Sequence, residues 1–315
     1  MTAAVADAAV GLRFTGDPLP GLIAAVGDEL PAVSVERVDA RDVDDGWKAA
    51  SSPQLIFERS YGDGRPFLRV ERDTHVGYRV WADEHGSHLL SADGHSCRSA
   101  LPDGEVWRGL KLLAAQALPV LSTLRGREVL HSAGVVIDDH LIGVVAAAGT
   151  GKSTTSCNLI AQGGRFFADD VLALELVDGQ VRAHPGTRLL NLYSHEYESI
   201  PEPGRARLGE RLGESDKVHL APEGFPGALP LGGLVFLHRG PEVAATALHP
   251  LAAAPAQLLG NAFLPYLDPP ERLRHQLDVM SALAQTVPLV RLESGSDGLP
   301  STLASLVREW VEGLP

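Results

Sequence analysis

Residues 146–154 read Ala146-Ala147-Ala148-Gly149-Thr150-Gly151-Lys152-Ser153-Thr154. This stretch follows the apolar run Leu141 to Ala147 and opens a segment with helical periodicity. A strand that turns through glycines straight into a helix constrains the fold more than any other part of the chain. The glycines allow the backbone to turn tightly and its N–H groups to converge on one point, where the helix N-terminus adds partial positive charge. Such a loop, here Ala148, Gly149, Thr150, Gly151, Lys152, Ser153 and Thr154, is expected to hold the phosphates of a nucleotide. Lys152 then reaches the β- and γ-phosphates and the Ser153 hydroxyl ligates Mg²⁺. The full phosphate-loop pattern places Gly where this chain has Ala146, which tolerates a strand-like conformation but resists positive φ.

The rest of the chain supplies the context such a loop needs. The 315 residues suit two domains at ~150 residues each. Residues 1–102 read as a β-rich domain, with short strand runs at 55–57, 66–70, 77–81 and 88–90 separated by Asp-Gly or Glu-to-Gly breaks, the pattern of an antiparallel meander. This sheet is either a docking surface for a substrate or partner, or an appendage for packing or oligomerisation. From Gly104 to Arg125 the period becomes helical, with a kink expected at Pro119. Beyond it strand and helix alternate: a hairpin of 134–137 and 141–147, a helix at 152–162, a strand at 166–168, and a hairpin of 171–175 and 181–183 turned at Asp178-Gly179. The Gly/Pro-rich stretch 201–230 reads as a mobile excursion or lid. A strand at 233–237, helices at 256–263 and 270–285, a strand at 288–292 and a helix at 300–312 close the chain. The fold class expected for 103–315 is α/β.

Asp169 and Asp170 follow the strand 166–168. Strand C-termini in open α/β sheets crowd around the ligand crevice, so both carboxylates should face the phosphate loop. One would hold Mg²⁺ and the other would accept the proton of an attacking hydroxyl. Arg188, Arg205, Arg207, Arg211, Lys217 and Arg239 are candidates for a further cation that neutralises transferred charge. Asn261, Phe263, Pro265 and Tyr266 are candidates for lining an acceptor pocket.

Forty acidic against 27 basic residues give a net charge of −13, which argues against binding along a nucleic-acid backbone. No apolar run approaches the ~18 residues of a membrane span. MTAAVADAAV lacks the basic residues of a secretory signal, and two cysteines, Cys97 and Cys157, make no disulfide framework. A cytoplasmic protein with no nucleic-acid or membrane partner is expected. No HExxH or Cys/His cluster points to zinc, and no guanine-specifying Asn-Lys-x-Asp is present, which favours ATP.

Leu130-His131-Ser132-Ala133-Gly134-Val135, the loop with Lys152-Ser153, Gly163 after its helix, and Ala168-Asp169-Asp170 together resemble HPr kinase/phosphorylase over about 130–175. The resemblance implies a P-loop kinase domain of HPr-kinase-like type in 103–315, behind the β-rich domain. It implies Asp169 as the base, Asp170 as a metal ligand with Ser153, the two roles being interchangeable, and His131 as a residue that orients the aspartate or contacts the γ-phosphate. The family's Glu/Arg/Gly-rich stretch has no counterpart here, where His184 to Asn191 stands instead, so no second metal-ligating Glu is identified. Leu118-Pro119 through His131, and Val287 to Leu292, look more like HPr-kinase-related proteins found beside peptide natural-product pathways. Some of these phosphorylate a serine of a ribosomally made precursor, as in lasso-peptide maturation. The activity this implies is ATP- and Mg²⁺-dependent phosphorylation of serine on a peptide or protein, possible homo-oligomerisation included. A small-molecule hydroxyl kinase and a non-catalytic ATP-sensing protein are the alternatives.

Overall fold

The computed structural model describes residues 5–26, 29–243, 245–267, 270–296 and 298–314, and the account concerns these. It is a mixed α/β protein built around two large sheets and one small one.

The first sheet comprises β1 (Val5–Ala9), β2 (Leu12–Gly16), β3 (Ile23–Val26), β4 (Ala32–Arg37), β5 (Gln54–Ser60), β6 (Pro66–Asp73), β7 (Gly77–Ala82), β8 (Gly86–Leu90) and β9 (Ser96–Ala100). Their order is β3-β1-β2-β4-β9-β8-β7-β6-β5. The expected meander is the antiparallel run from β5 to β8, which β9 extends by one strand that was not foreseen. Its period-2 alternation buries Leu68, Val70, Tyr78 and Val80 on one face. Asp73 fixes the β6–β7 hairpin by accepting the N–H groups of His75 and Val76, and the N–H groups of Ser51 and Ser52 as well. Strands β1 to β4 and helix α1 (Ala40–Trp47) were not foreseen: β2 and β4 alternate apolar and polar residues over only five and six positions, and α1 sets Val43 and Trp47 on one face over only eight, runs too short to stand out along the chain. β4 joins β2 and β9 in parallel, and α1 buries Val43 and Trp47 beside Leu89 and Ala100.

The helical segment after the sheet is broken into α2 (Val106–Leu112), a π-helical turn (Leu113–Ala117) and α3 (Leu118–Leu124). Pro119 has no N–H, so Ala115 loses its usual partner. The ladder widens one turn upstream, where the Leu118 N–H bonds the Leu113 carbonyl. This helix fastens the two large sheets together. Leu113, Leu118 and Leu121 share a core with Leu12, Val70 and Leu90 on one side and Val129, Val171 and Ala173 on the other.

The second sheet contains β10 (Glu128–Ile137), β11 (His140–Val145), β12 (Arg165–Ala168), β13 (Val171–Val177), β14 (Gln180–His184), β18 (Leu229–Arg239), β19 (Ala247–Pro250) and β20 (Leu289–Ser294). The two-residue hairpins β10–β11 and β13–β14 turn at Asp138-Asp139 and Asp178-Gly179. All four residues have positive φ, as a type I′ turn demands. The long strand β10 pairs with β11, β12 and β13, and β18 with β11, β14 and β20, so the pairings β11-β10-β13-β14-β18 close back on β11. β11, β18 and β20 run parallel through the centre. Helix α4 (Lys152–Ala161) packs between this layer and α9 (Pro300–Glu312), through Leu159 and Ile160 against Val144, Val235, Leu303 and Val307.

The lid expected at 201–230 is not what this segment forms. β15 (Leu190–Tyr193), β16 (Glu210–Glu214) and β17 (Lys217–Ala221) make a three-stranded sheet, with the short helices α5 (Ser194–Ser199) and α6 (Glu202–Arg205) between β15 and β16. Ile200, Leu208, Val218 and Leu220 are buried in the α4 core. The Gly and Pro residues punctuate this substructure, and the apolar residues between them anchor it. Helices α7 (Pro255–Leu259) and α8 (Pro270–Thr286) lie near the positions expected for them, α7 ending short of the expected 263. Among the described residues no helix is long and apolar enough to cross a membrane. Both cysteines are free and buried.

Candidate functional site

The glycine loop leaves β11 and enters α4 at Lys152, in the strand–turn–helix context its sequence demands. Gly149 and Gly151 have φ of 78° and 105°. Space around Gly149 is open, whereas a Cβ on Gly151 would lie 3.3 Å from Arg239 Nη1. The Thr150 N–H bonds the Ala147 carbonyl at 3.1 Å and closes the turn. Ala146 keeps a negative φ, so its methyl group is compatible with the loop.

Asp169 and Asp170 form the step between β12 and β13, both of which pair with β10. In that register Ala168 faces Gly134 and Val171 faces His131. Asp170 takes the left-handed conformation, φ 62°, which Asp tolerates better than most residues. The two carboxylates therefore diverge. Asp169, with a side chain 3% exposed, turns toward α4, where Ser153 Oγ donates to its Oδ1 at 3.1 Å and the Asn191 N–H to its Oδ2 at 3.3 Å. Asp170 turns into a chamber of about 650 Å³, to which 47% of its side chain is exposed. Gly186 permits this arrangement, because a Cβ there would sit 3.0 Å from Ala168 Cβ.

Lys152 joins the pair. Its Nζ donates to Asp170 Oδ1 at 2.6 Å and to Asp169 Oδ1 at 3.5 Å. Burial works against its charge, but the two carboxylates outweigh burial and raise its pKa. Burial and then the negative charge of Asp170 push Asp169 up. At Asp170 burial is outweighed by Lys152 and His131, which hold that carboxyl well below the usual range. His131 Nε2 lies 3.7 Å from Asp170 Oδ1. The His131 ring stands edge-on to Phe263, and the backbone N–H of His131 donates to the Asn261 carbonyl at 2.9 Å.

Thus His131, Lys152, Ser153, Asp169 and Asp170 come together around the loop. Phe263, Pro265 and Tyr266 line the chamber, as does Lys217. The other candidate cations do not face it. Arg205 and Arg211 pair with Glu202 and Glu214, Arg188 donates to the Pro222 carbonyl, and Arg239 donates to the carbonyls of Ser296 and Gly298 behind the loop. The structure adds residues the sequence reading missed. Lys111 reaches the chamber from α2, a short helix whose other cation, Arg108, pairs with Glu84 and Glu105 instead. Glu196 accepts from Thr154 Oγ1 at 2.6 Å, and Phe57 and Arg59 enter from β5. Nothing in their local sequence marks these last three.

No protein-family model matches the chain, and no curated protein matches it. Among solved structures, the HPr(Ser) kinase/phosphatase from Coxiella burnetii is similar over 59% of this chain and 97% of its own, with 14% identity and a TM-score of 0.34. At that score the likeness carries none of the functional reasoning, which stands on the residues of this chain.

Proposed function

We propose that this protein is an ATP-dependent kinase that transfers the γ-phosphoryl group to a serine hydroxyl of a peptide or protein. The resemblance of its motifs to peptide-modifying HPr-kinase-related proteins favours a ribosomally made precursor as the acceptor. The reading is carried by one observation. A buried lysine at the start of the phosphate-loop helix holds two diverging carboxylates, one against the loop serine and one facing a chamber with room for an acceptor.

Ser153 Oγ and Asp169 Oδ1 are hard oxygen donors of the kind Mg²⁺ takes together with phosphate oxygens. Bound there, the ion would neutralise charge on the β- and γ-phosphate oxygens. Access favours the exchanged order of the carboxylates: Asp169, 3% exposed, is shielded from an incoming hydroxyl, whereas Asp170 opens onto the chamber. When a triphosphate occupies the loop, Lys152 turns to its oxygens and releases Asp170 from its strongest stabilising partner. The proton affinity of Asp170 then rises as the acceptor site is completed. The acceptor oxygen attacks the γ-phosphorus, the bond to the β–γ bridging oxygen breaks, ADP leaves, and the acceptor proton passes to Asp170. His131 keeps that carboxylate oriented.

The test is incubation with ATP, Mg²⁺ and a pool of serine peptides, read by mass spectrometry. A gain of one phosphoryl group on serine, lost in Lys152→Ala and in Asp170→Asn, is the expected result. ATP binding with no transfer to any hydroxyl would leave a nucleotide sensor in place of a kinase.

A further inference from the structure

The chamber has a second wall that the phosphoryl-transfer chemistry does not use, and it comes from the N-terminal sheet. β5 is the outermost strand of that sheet, hydrogen-bonded to β6 alone among the described residues. It sends Phe57 and Arg59 into the chamber. Phe57 stacks on Tyr266 with ring centroids 4.9 Å apart, and the Tyr266 hydroxyl donates to Gln116 Oε1 at 2.6 Å, so this wall is fixed to the π-helical turn. Arg59 lies with its guanidinium 5.7 Å from the Phe57 ring centroid.

Arg59 lacks a carboxylate partner among the described residues, as does Arg72 of β6, which donates to Gln54, but of the two only Arg59 lines the chamber. Arg65, Arg69 and Arg79 of the same sheet are paired with Asp63, Glu58 and Glu71. Among the described residues Lys111 and Lys217 also line the chamber without an ion pair. The chamber's own acids are occupied, Asp170 by Lys152 and Glu196 by Thr154. Lys111 lies in the field of Asp216 and, after it, of Asp170, whereas Arg59 lies in the field of the Tyr266 hydroxyl, on the aromatic side. A nucleotide in the loop accounts for Lys152 and the cations near Asp170. It leaves Arg59 unsatisfied at the far wall, beside an aromatic surface and a free strand edge.

We infer that β5 reads the acceptor, and that the acceptor is a peptide segment with an acidic side chain and an apolar side chain flanking the phosphorylated serine. The inference rests on the kinase reading and names its substrate class. The acidic group pairs with Arg59, the apolar group lies on Phe57 and Tyr266, and the edge of β5 offers backbone hydrogen bonds to an extended chain.

The experiment presents the full chain, ATP and Mg²⁺ with two pools of serine peptides, matched in apolar content, one flanked by Asp or Glu and one by Lys. Nucleotide affinity is measured in parallel. Phosphorylation of the acidic pool should exceed that of the basic pool by about tenfold, the effect of one charge-assisted contact. Arg59 is exposed, so Arg59→Glu should fold and leave nucleotide affinity unchanged while the preference collapses or reverses. Equal labelling of the two pools, or a preference that survives Arg59→Glu, overturns the inference and leaves the kinase reading intact. Labelling of neither pool with ATP still bound overturns the peptide-kinase reading and this assignment together. Transfer only to a free hydroxy acid such as glycerate does the same, and points to a small-molecule kinase.

Discussion

Lys152 and Asp170 form a 2.6 Å ion pair at the mouth of the glycine loop, and a second carboxylate, Asp169, lies 3.5 Å from the same ammonium. The loop lysine thus has two carboxylates as counter-ions. On the proposed reading, a triphosphate competes with the aspartates for Lys152, which links nucleotide binding to the protonation of Asp170.

Replacing Lys152 by Ala removes the pairing and the phosphate contact together. Nucleotide affinity should fall by about 1.5–3 kcal/mol, the value of a hydrogen bond to a charged group, which calorimetric titration would read. The variant should also unfold more easily, by less than the ~3–5 kcal/mol of a fully buried pair, since Asp170 opens onto the chamber. Unchanged affinity would show that the loop does not grip phosphates.

The two aspartates should separate kinetically. Asp170→Asn is expected to keep nucleotide binding and lower transfer by about 10²–10⁴-fold, the range for loss of a general base. Asp169→Asn should instead raise the Mg²⁺ concentration needed for half-maximal rate. The opposite pattern in a Mg²⁺ titration of both variants would restore Asp169 as the base.

Gly151→Ala places a methyl group at φ 105° and 3.3 Å from Arg239 Nη1. Loss of nucleotide binding with little change in the far-ultraviolet circular dichroism is the expected result, because strain falls on the loop and leaves the sheets alone.

Away from the site, Glu128 on β10 is fully buried and accepts from Arg272 Nη2 at 2.8 Å and Gln276 Nε2 at 2.9 Å, both on α8. Glu128→Ala leaves Arg272 without its charge partner. A loss of about 3–5 kcal/mol is expected by urea denaturation. A loss below about 1 kcal/mol would mean that the carbonyls of Leu264 and Leu267, which also accept from Arg272, suffice.

Acid should weaken the fold through histidines that are buried neutral. Burial, then the charge of Arg37, lowers His88 to about 3, and burial, then the charge of Lys111, lowers His219 to about 4. The unfolded chain protonates both near their ordinary 6.5, so it binds more protons below that pH and stability falls as pH drops from about 6.5 toward 4. Urea midpoints across that range should fall, and His88→Phe should flatten the slope by up to about 1.4 kcal/mol per pH unit.

Local signals in the sequence determined the parts of this protein that depend on neighbours along the chain. The Gly149-Thr150-Gly151-Lys152 turn, the Asp178-Gly179 hairpin, the meander from β5 to β8 and the helix at α9 each follow from backbone geometry or periodicity that a few adjacent residues impose. Tertiary structure alone decided which way each aspartate points, because a single left-handed residue and the register of two strands on β10 set that divergence. It also decided that 201–230 is anchored, since the apolar partners of Leu208 and Val218 come from α4 and the central strands, far away in the chain. Arg59 and Lys111 share a chamber with the glycine loop only because the helix between the two large sheets buries one side against each, and no spacing along the chain encodes a placement made through a shared core.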